Sequence, residues 1–132
     1  MIPQISQAPG VVQLVLNFLQ VLEQQGFTGD TATSYADRLT MATDNSVYQL
    51  LPDAVLFPRS TADVALLARV AAEPRFKSLI FTPRGGGTGT NGQALNGGII
   101  VDMSRYMNRI IEINPEEGWV RVEAGVIKDQ LN

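Results

Sequence analysis

Apolar and polar residues along this chain follow two periods, and the switches between them mark the expected elements. Between Val11 and Gln25 the polar residues Gln13, Asn17, Gln20 and Gln24 recur at helical spacing, forming one stripe. Almost everything else up to Leu22 is apolar, so this helix needs burial around most of its circumference and is expected to pack into a larger body. Gly26 is placed to end it. Gly29-Asp30 is expected to turn the chain, Thr33 to Leu39 to form a short helix, and Met41 to Pro52 to be irregular. Ala54 to Phe57 is a short apolar run closed by Pro58, the pattern of a buried strand. Ser60 then supplies an N-cap, with Asp63 favouring the positive helix end, for a helix running to about Glu73 before Pro74. Leu79 to Thr82 is the next strand. This strand–helix–strand unit predicts two neighbouring parallel strands with a right-handed crossover. Three more strands are expected at Ile99–Asp102, Arg109–Asn114 and Trp119–Glu123, the last two joined by the turn Pro115-Glu116-Glu117-Gly118. Residues 1–10 suggest an extended lead-in, and Gly125 to Asn132 suggests the opening of another helix. No capping residue closes that last segment, so the chain is expected to continue as part of something longer.

Between the strands at Leu79–Thr82 and Ile99–Asp102 lies Pro83-Arg84-Gly85-Gly86-Gly87-Thr88-Gly89-Thr90-Asn91-Gly92, which holds five of the chain's 12 glycines. Such a run builds no core and costs chain entropy. It suits a loop whose successive backbone N–H groups converge on one anion, as in a phosphate nest. The hydroxyls of Thr88 and Thr90 add donors, and Arg84 is the one cation beside the loop, equally able to serve as a solvated charge or ion-pair partner. Asn91 suits a turn position tolerating left-handed φ. A flexible glycine connector without a ligand is the alternative.

Three familiar phosphate motifs do not fit. Gly87, Gly89 and Gly92 spell G-x-G-x-x-G, but only Gln93-Ala94-Leu95-Asn96 separates Gly92 from Gly97, too little for the crossover helix of a dinucleotide-binding turn. A P-loop needs Gly-Lys-Ser/Thr, where this chain has Gly92-Gln93. A kinase glycine loop needs a valine where Ala94 stands.

The stretch from Pro83 to Leu95, with Ile100-Val101-Asp102-Met103-Ser104, instead resembles the pyrophosphate loop of the FAD-binding domain shared by vanillyl-alcohol oxidase and p-cresol methylhydroxylase. Asp44-Asn45-Ser46-Val47-Tyr48 and Pro52 to Pro58 resemble the entry to that domain in glycolate, D-lactate and D-2-hydroxyglutarate dehydrogenases. Met107-Asn108-Arg109-Ile110 and Val122-Glu123-Ala124-Gly125-Val126 resemble its next strands. The likeness covers about residues 38–132. It implies an α+β fold of the p-cresol methylhydroxylase type, truncated, with residues 1–53 as a helical lead-in and 54–132 as the N-terminal part of the FAD-binding domain. It implies FAD as cofactor, with Arg84, Gly85, Gly86, Gly87, Thr88, Gly89, Thr90, Asn91 and Gly92 around its diphosphate, and a small 2-hydroxy acid as substrate. Some members tether FAD through a histidine near this loop. The matching position is Thr88, so a dissociable, non-covalent FAD is implied. An iron–sulfur region often follows in such dehydrogenases, beyond these residues. Tyr48 lies in a segment that by resemblance passes near the flavin; Tyr35 and Tyr106 are the other phenols, and no residue is assigned as a catalytic base.

Composition narrows the remaining classes. The 132 residues have a net charge of −3 and no basic cluster, which argues against nucleic acid. Cysteine and histidine are both absent, which removes disulfides, thiolate nucleophiles and the commonest metal ligands, so no metal site is expected. There is no basic-then-apolar leader, and no apolar stretch approaches the ~20 residues needed to span a bilayer. The expectation is a cytoplasmic protein, with the apolar first helix leaving a homo-oligomer or partner interface as the sharper alternative. A non-enzymatic anion-binding or docking module, or another oxidase or reductase on the same fold, stands beside the dehydrogenase reading.

Overall fold

The computed structural model describes residues 11–132; the lead-in expected at 1–10 lies outside the described residues. Its centre is a four-stranded sheet in the order β1-β2-β4-β3, formed by β1 (Asp30–Ala32), β2 (Ala54–Phe57), β3 (Phe81–Arg84) and β4 (Ile99–Asp102). β4 runs parallel to β2 on one side and to β3 on the other, while β1 is antiparallel to β2. The expected neighbours β2 and β3 are therefore separated by β4. Burial and proline explain the order. Every residue of β4 is buried, which demands neighbours on both sides, whereas Pro83 in β3 has no N–H to give and belongs on an edge. The expected turn at Asp30 is the start of β1, whose three residues are too few for a period to show.

Alternation along β2 and β4 divides the core between the two faces of the sheet. Ala54, Leu56, Ile99 and Val101 face α1 (Gln13–Gln24) and α3 (Thr61–Ala71), meeting Val15, Phe18, Leu19 and Leu22 from one helix and Leu66, Leu67 and Val70 from the other. The apolar first helix is thus spent on the core. Phe18 packs edge-on against Phe76 at 5.2 Å and tilted against Phe81 at 5.1 Å, joining the helix layer to β3. Val55, Phe57 and Ile100 point the other way, toward Ala32, Met41 and Tyr106 beside α2 (Tyr35–Thr40).

Local signals set the helix ends. Gly26, at φ +98°, follows α1, and the N–H of Phe27 donates to the Leu22 carbonyl at 3.2 Å. Ser60 caps α3 by accepting from the Asp63 N–H at 3.3 Å. Asp63 goes further than the helix end requires. Its buried carboxylate accepts from the Thr28 N–H at 2.9 Å, the Thr28 hydroxyl at 2.8 Å and the Arg59 N–H at 2.9 Å. It thereby ties the loop before β1 to the start of α3. Burial disfavours its charge, but these donors outweigh it and hold the carboxyl below its ordinary 3.8.

The last two strands, β5 (Ile110–Asn114) and β6 (Trp119–Val122), form a separate antiparallel hairpin whose turn contains Gly118 at φ +72°. Ile111 and Ile113 on it are exposed. The helix expected from Gly125 is only a 3-10 turn at Lys128–Gln130.

Candidate functional site

The glycine loop leaves the C-terminal end of β3, at the edge of the sheet, the end at which ligands of open parallel sheets are bound. Its start is fixed by the Met103 N–H, which donates to the Arg84 carbonyl at 2.8 Å. Beside it, Asp102 closes the end of β4 by accepting from the N–H groups of Ser104 and Arg105 and from the Ser104 hydroxyl.

The glycines of the loop serve different ends. Gly87 and Gly92 hold φ of +67° and +77°, a region costly for any residue with a Cβ. At Gly87 a Cβ would also lie 2.5 Å from Arg84 Nη2; at Gly92 it would lie 3.1 Å from the Tyr48 ring. Gly85 faces open space, and a Cβ at Gly86 would meet Thr88 and Ile127 at ordinary distances of 3.6 Å and 3.8 Å. Conformation therefore requires glycine at 87, whereas nothing within the chain blocks a Cβ at Gly86. Asn91, expected in the left-handed region, is not there, since no non-glycine has positive φ among the described residues. Gly92 takes that geometry instead, and the Asn91 N–H donates to Gln93 Oε1 at 2.9 Å.

None of the backbone N–H groups from Gly85 to Thr90 donates to another described residue. Donors left open in this way, on a loop rich in glycine, are what an anion nest requires. The loop wraps a cavity of about 320 Å³ lined by Pro83, Gly85 to Gly89, Gln93 and Ala94. Gly87 and Thr88 also border a second hollow of about 440 Å³, shared with Thr40, Thr43, Asp44, Asn45 and Arg84.

Arg84 is committed to bracing. Its Nη2 donates to the Thr43 carbonyl at 2.8 Å and its Nη1 to the Met41 carbonyl at 3.4 Å, while the Asn45 N–H donates to the Gly87 carbonyl at 3.1 Å. The 41–45 segment and the loop are thus clamped together. Asp44 faces this clamp. One oxygen accepts from the Ser46 N–H at 2.8 Å, while Oδ2 is buried without a hydrogen-bond partner. Hydrogen bonding from Ser46, outweighing burial and aided by the Ala94 amide and the Arg84 charge, keeps this carboxyl below its ordinary value. The Asp-x-Ser pattern was a legible turn signal, but nothing local showed that this turn would lie against the glycine loop. Tyr48, exposed, stands beside Gly92, whereas Tyr106 donates its hydroxyl to Asp30 on β1, at the far edge of the sheet. No cluster of three metal-ligating side chains occurs among the described residues.

The glycine loop is thus an edge loop with open amides, braced by a neighbouring turn, and comparison supplies the family. The FAD binding domain family matches residues 52–132, and the chain belongs to it. The chain is 91% identical over all its 132 residues to a D-2-hydroxyglutarate dehydrogenase of Escherichia coli (strain K12), and 80% identical to one of Pantoea ananatis (strain AJ13355). It spans only 13% of the length of each. Among solved structures, an alkyldihydroxyacetonephosphate synthase matches 94% of this chain, and 26% of its own, with a TM-score of 0.76 at 19% identity, which speaks to fold alone. The expected truncated FAD-binding fold is therefore present.

Proposed function

We propose that this chain is the opening section of an FAD-linked dehydrogenase oxidising a 2-hydroxy acid of the D-2-hydroxyglutarate type to the 2-oxo acid, and that its part is to hold the FAD diphosphate. The single observation carrying this is the row of unpartnered amides from Gly85 to Thr90 on a loop whose shape depends on Gly87 and Gly92. The identity of the relatives favours 2-hydroxyglutarate over lactate. Gly85 to Thr90 would donate main-chain N–H groups to the phosphate oxygens, with the Thr88 and Thr90 hydroxyls beside them and Asn91 and Gly92 closing the loop. Neutral donors suit an anion that must be held without excluding its release. Arg84 acts at one remove, shaping the loop through Gly87 and the 41–45 carbonyls, while its charge still favours the diphosphate. Residues 54–132 begin the FAD-binding domain, and the lead-in before them contributes α1 and β1 to the same core and sheet.

When bound, FAD supplies the two-electron acceptor for oxidation at the hydroxyl-bearing carbon, and the protein supplies position and electrostatics. This chain has neither histidine nor cysteine. A histidyl or cysteinyl tether to FAD cannot come from these residues, which favours a dissociable cofactor, and thiolates for an iron–sulfur cluster would have to lie elsewhere in the longer protein. No helix among the described residues is long and apolar enough to cross a membrane; a cytoplasmic site of action is our reading. The test is the visible spectrum and activity of the full-length protein. Flavin absorbance, bleached on adding D-2-hydroxyglutarate, is expected. A purified, folded protein that neither carries nor takes up FAD would overturn the assignment.

A further inference from the structure

The sequence contains two Asn-Gly steps, Asn91-Gly92 and Asn96-Gly97, and the fold treats them oppositely. Asn96 is buried at 7% exposure; its Nδ2 donates to the Ile80 carbonyl at 3.0 Å and its Oδ1 accepts from the Gly98 N–H at 2.7 Å. Asn91 is exposed, its carboxamide makes no hydrogen bond to another described residue, and the Gly92 N–H that follows is also without a partner. Asparagine followed by glycine is the step most open to intramolecular attack, because no Cβ hinders the following nitrogen. That nitrogen must be free, and the carboxamide must be able to turn toward it. Asn91 meets both conditions, whereas Asn96, although the Gly97 N–H after it also lacks a partner among the described residues, has its carboxamide held at both ends and cannot turn.

We propose that Asn91 is a spontaneous deamidation site that ages the cofactor loop when it stands empty. Gly92 N bonds to Asn91 Cγ, the bond from Cγ to the side-chain nitrogen breaks, and ammonia leaves. Water then opens the cyclic imide at either carbonyl, giving aspartate or isoaspartate. One water is consumed, one ammonia is released, and no oxidant or reductant is involved. The product carries a new negative charge immediately beside the amides assigned above to a diphosphate, and the isoaspartyl form also lengthens the main chain next to Gly92. Both changes oppose flavin binding. A bound diphosphate holds the loop still and slows the reaction. This consequence rests on the diphosphate reading of the loop; the chemical difference between the two asparagines does not.

The experiment incubates full-length protein, flavin-stripped or saturated with FAD, in warm, mildly alkaline buffer. Peptide mass mapping follows conversion at both asparagines, and FAD titration follows binding capacity. Hydrogen bonds that must break before Asn96 reacts place Asn91 ahead by at least roughly tenfold in the stripped protein. FAD is expected to slow conversion at Asn91, and binding capacity to fall in step with it. The Asn91→Gln variant, whatever its starting affinity, should lose that drift with time. Conversion of Asn96 as fast as Asn91, or conversion of Asn91 with full binding capacity retained, would overturn the proposal. If fresh protein binds no FAD at all, the diphosphate reading and the flavin consequence fall together, and the ratio of the two conversions alone decides whether Asn91 is the reactive site.

Discussion

Replacing Gly87 with alanine separates the two uses this loop makes of glycine. The backbone at Gly87 has φ +67°, and the new Cβ would stand 2.5 Å from Arg84 Nη2 and 2.9 Å from its Cζ. Left-handed geometry costs a residue with a Cβ about 1–2 kcal/mol. The guanidinium has to move as well, giving up its bond to the Thr43 carbonyl, 2.8 Å long and partly exposed to solvent. With that exposure discounted, the loss adds about 1 kcal/mol. Together they come to about 2–3 kcal/mol, which the variant loop can avoid when empty by relaxing but must spend to re-form around a diphosphate. The FAD dissociation constant of the full-length protein should therefore rise roughly 30- to 150-fold. Gly86→Val is the companion change. Its φ is not in the left-handed region, and a Cβ there meets only ordinary contacts. The valine should leave the thermal midpoint of flavin-free protein unchanged while weakening FAD retention by blocking approach. Fluorescence titration of stripped protein with FAD reads both variants. A Gly87→Ala protein binding FAD within about threefold of wild type would refute the claim that the strained turn and the Arg84 clamp shape the site.

Three further outcomes test the surrounding framework. Arg84→Lys should weaken FAD binding nearly as much as Arg84→Ala, because one ammonium cannot reproduce a fork reaching two carbonyls; full rescue by lysine in the same titration would show that only the charge matters. Asp63→Asn puts a donor among the donors of Thr28 and Arg59 and should cost about 2 kcal/mol, read as loss of hydrogen-exchange protection around β1 and α3. Because the folded Asp63 carboxyl sits below its ordinary 3.8, its contribution is fully present above that value and is lost as pH falls through the folded pKa. The wild-type protein should accordingly lose protection of these elements in that acid range, and the Asn variant should show a shallower loss over the same window.

β2 and β4 were legible to the residue, because short apolar runs bounded by proline or glycine have few other uses. So were the Ser60 cap, the Gly26 stop and the turn of the β5–β6 hairpin, each a short-range device whose partners lie within a few residues. The likeness of the loop and its flanking strands to an FAD-binding domain was legible for the same reason, since the motif is local and dense. β3 begins two residues later than the apolar run suggests, because Leu79 and Ile80 are apolar without being strand; Ile80 is 65% exposed. The final segment forms only a 3-10 turn, since two turns of helical pattern give too few backbone bonds to propagate without packing.

By itself, then, the sequence determined most of the elements, the loop and the family, because propensity, capping and glycine content act over a handful of neighbouring residues. Only the tertiary structure decided that β4 lies between β2 and β3, that Asp63 reaches back to Thr28, and that Arg84 spends its guanidinium on the carbonyls of Met41 and Thr43. Those choices join residues tens of positions apart. They are settled by which surfaces must be buried together and which donors then need acceptors, a balance that no local window contains.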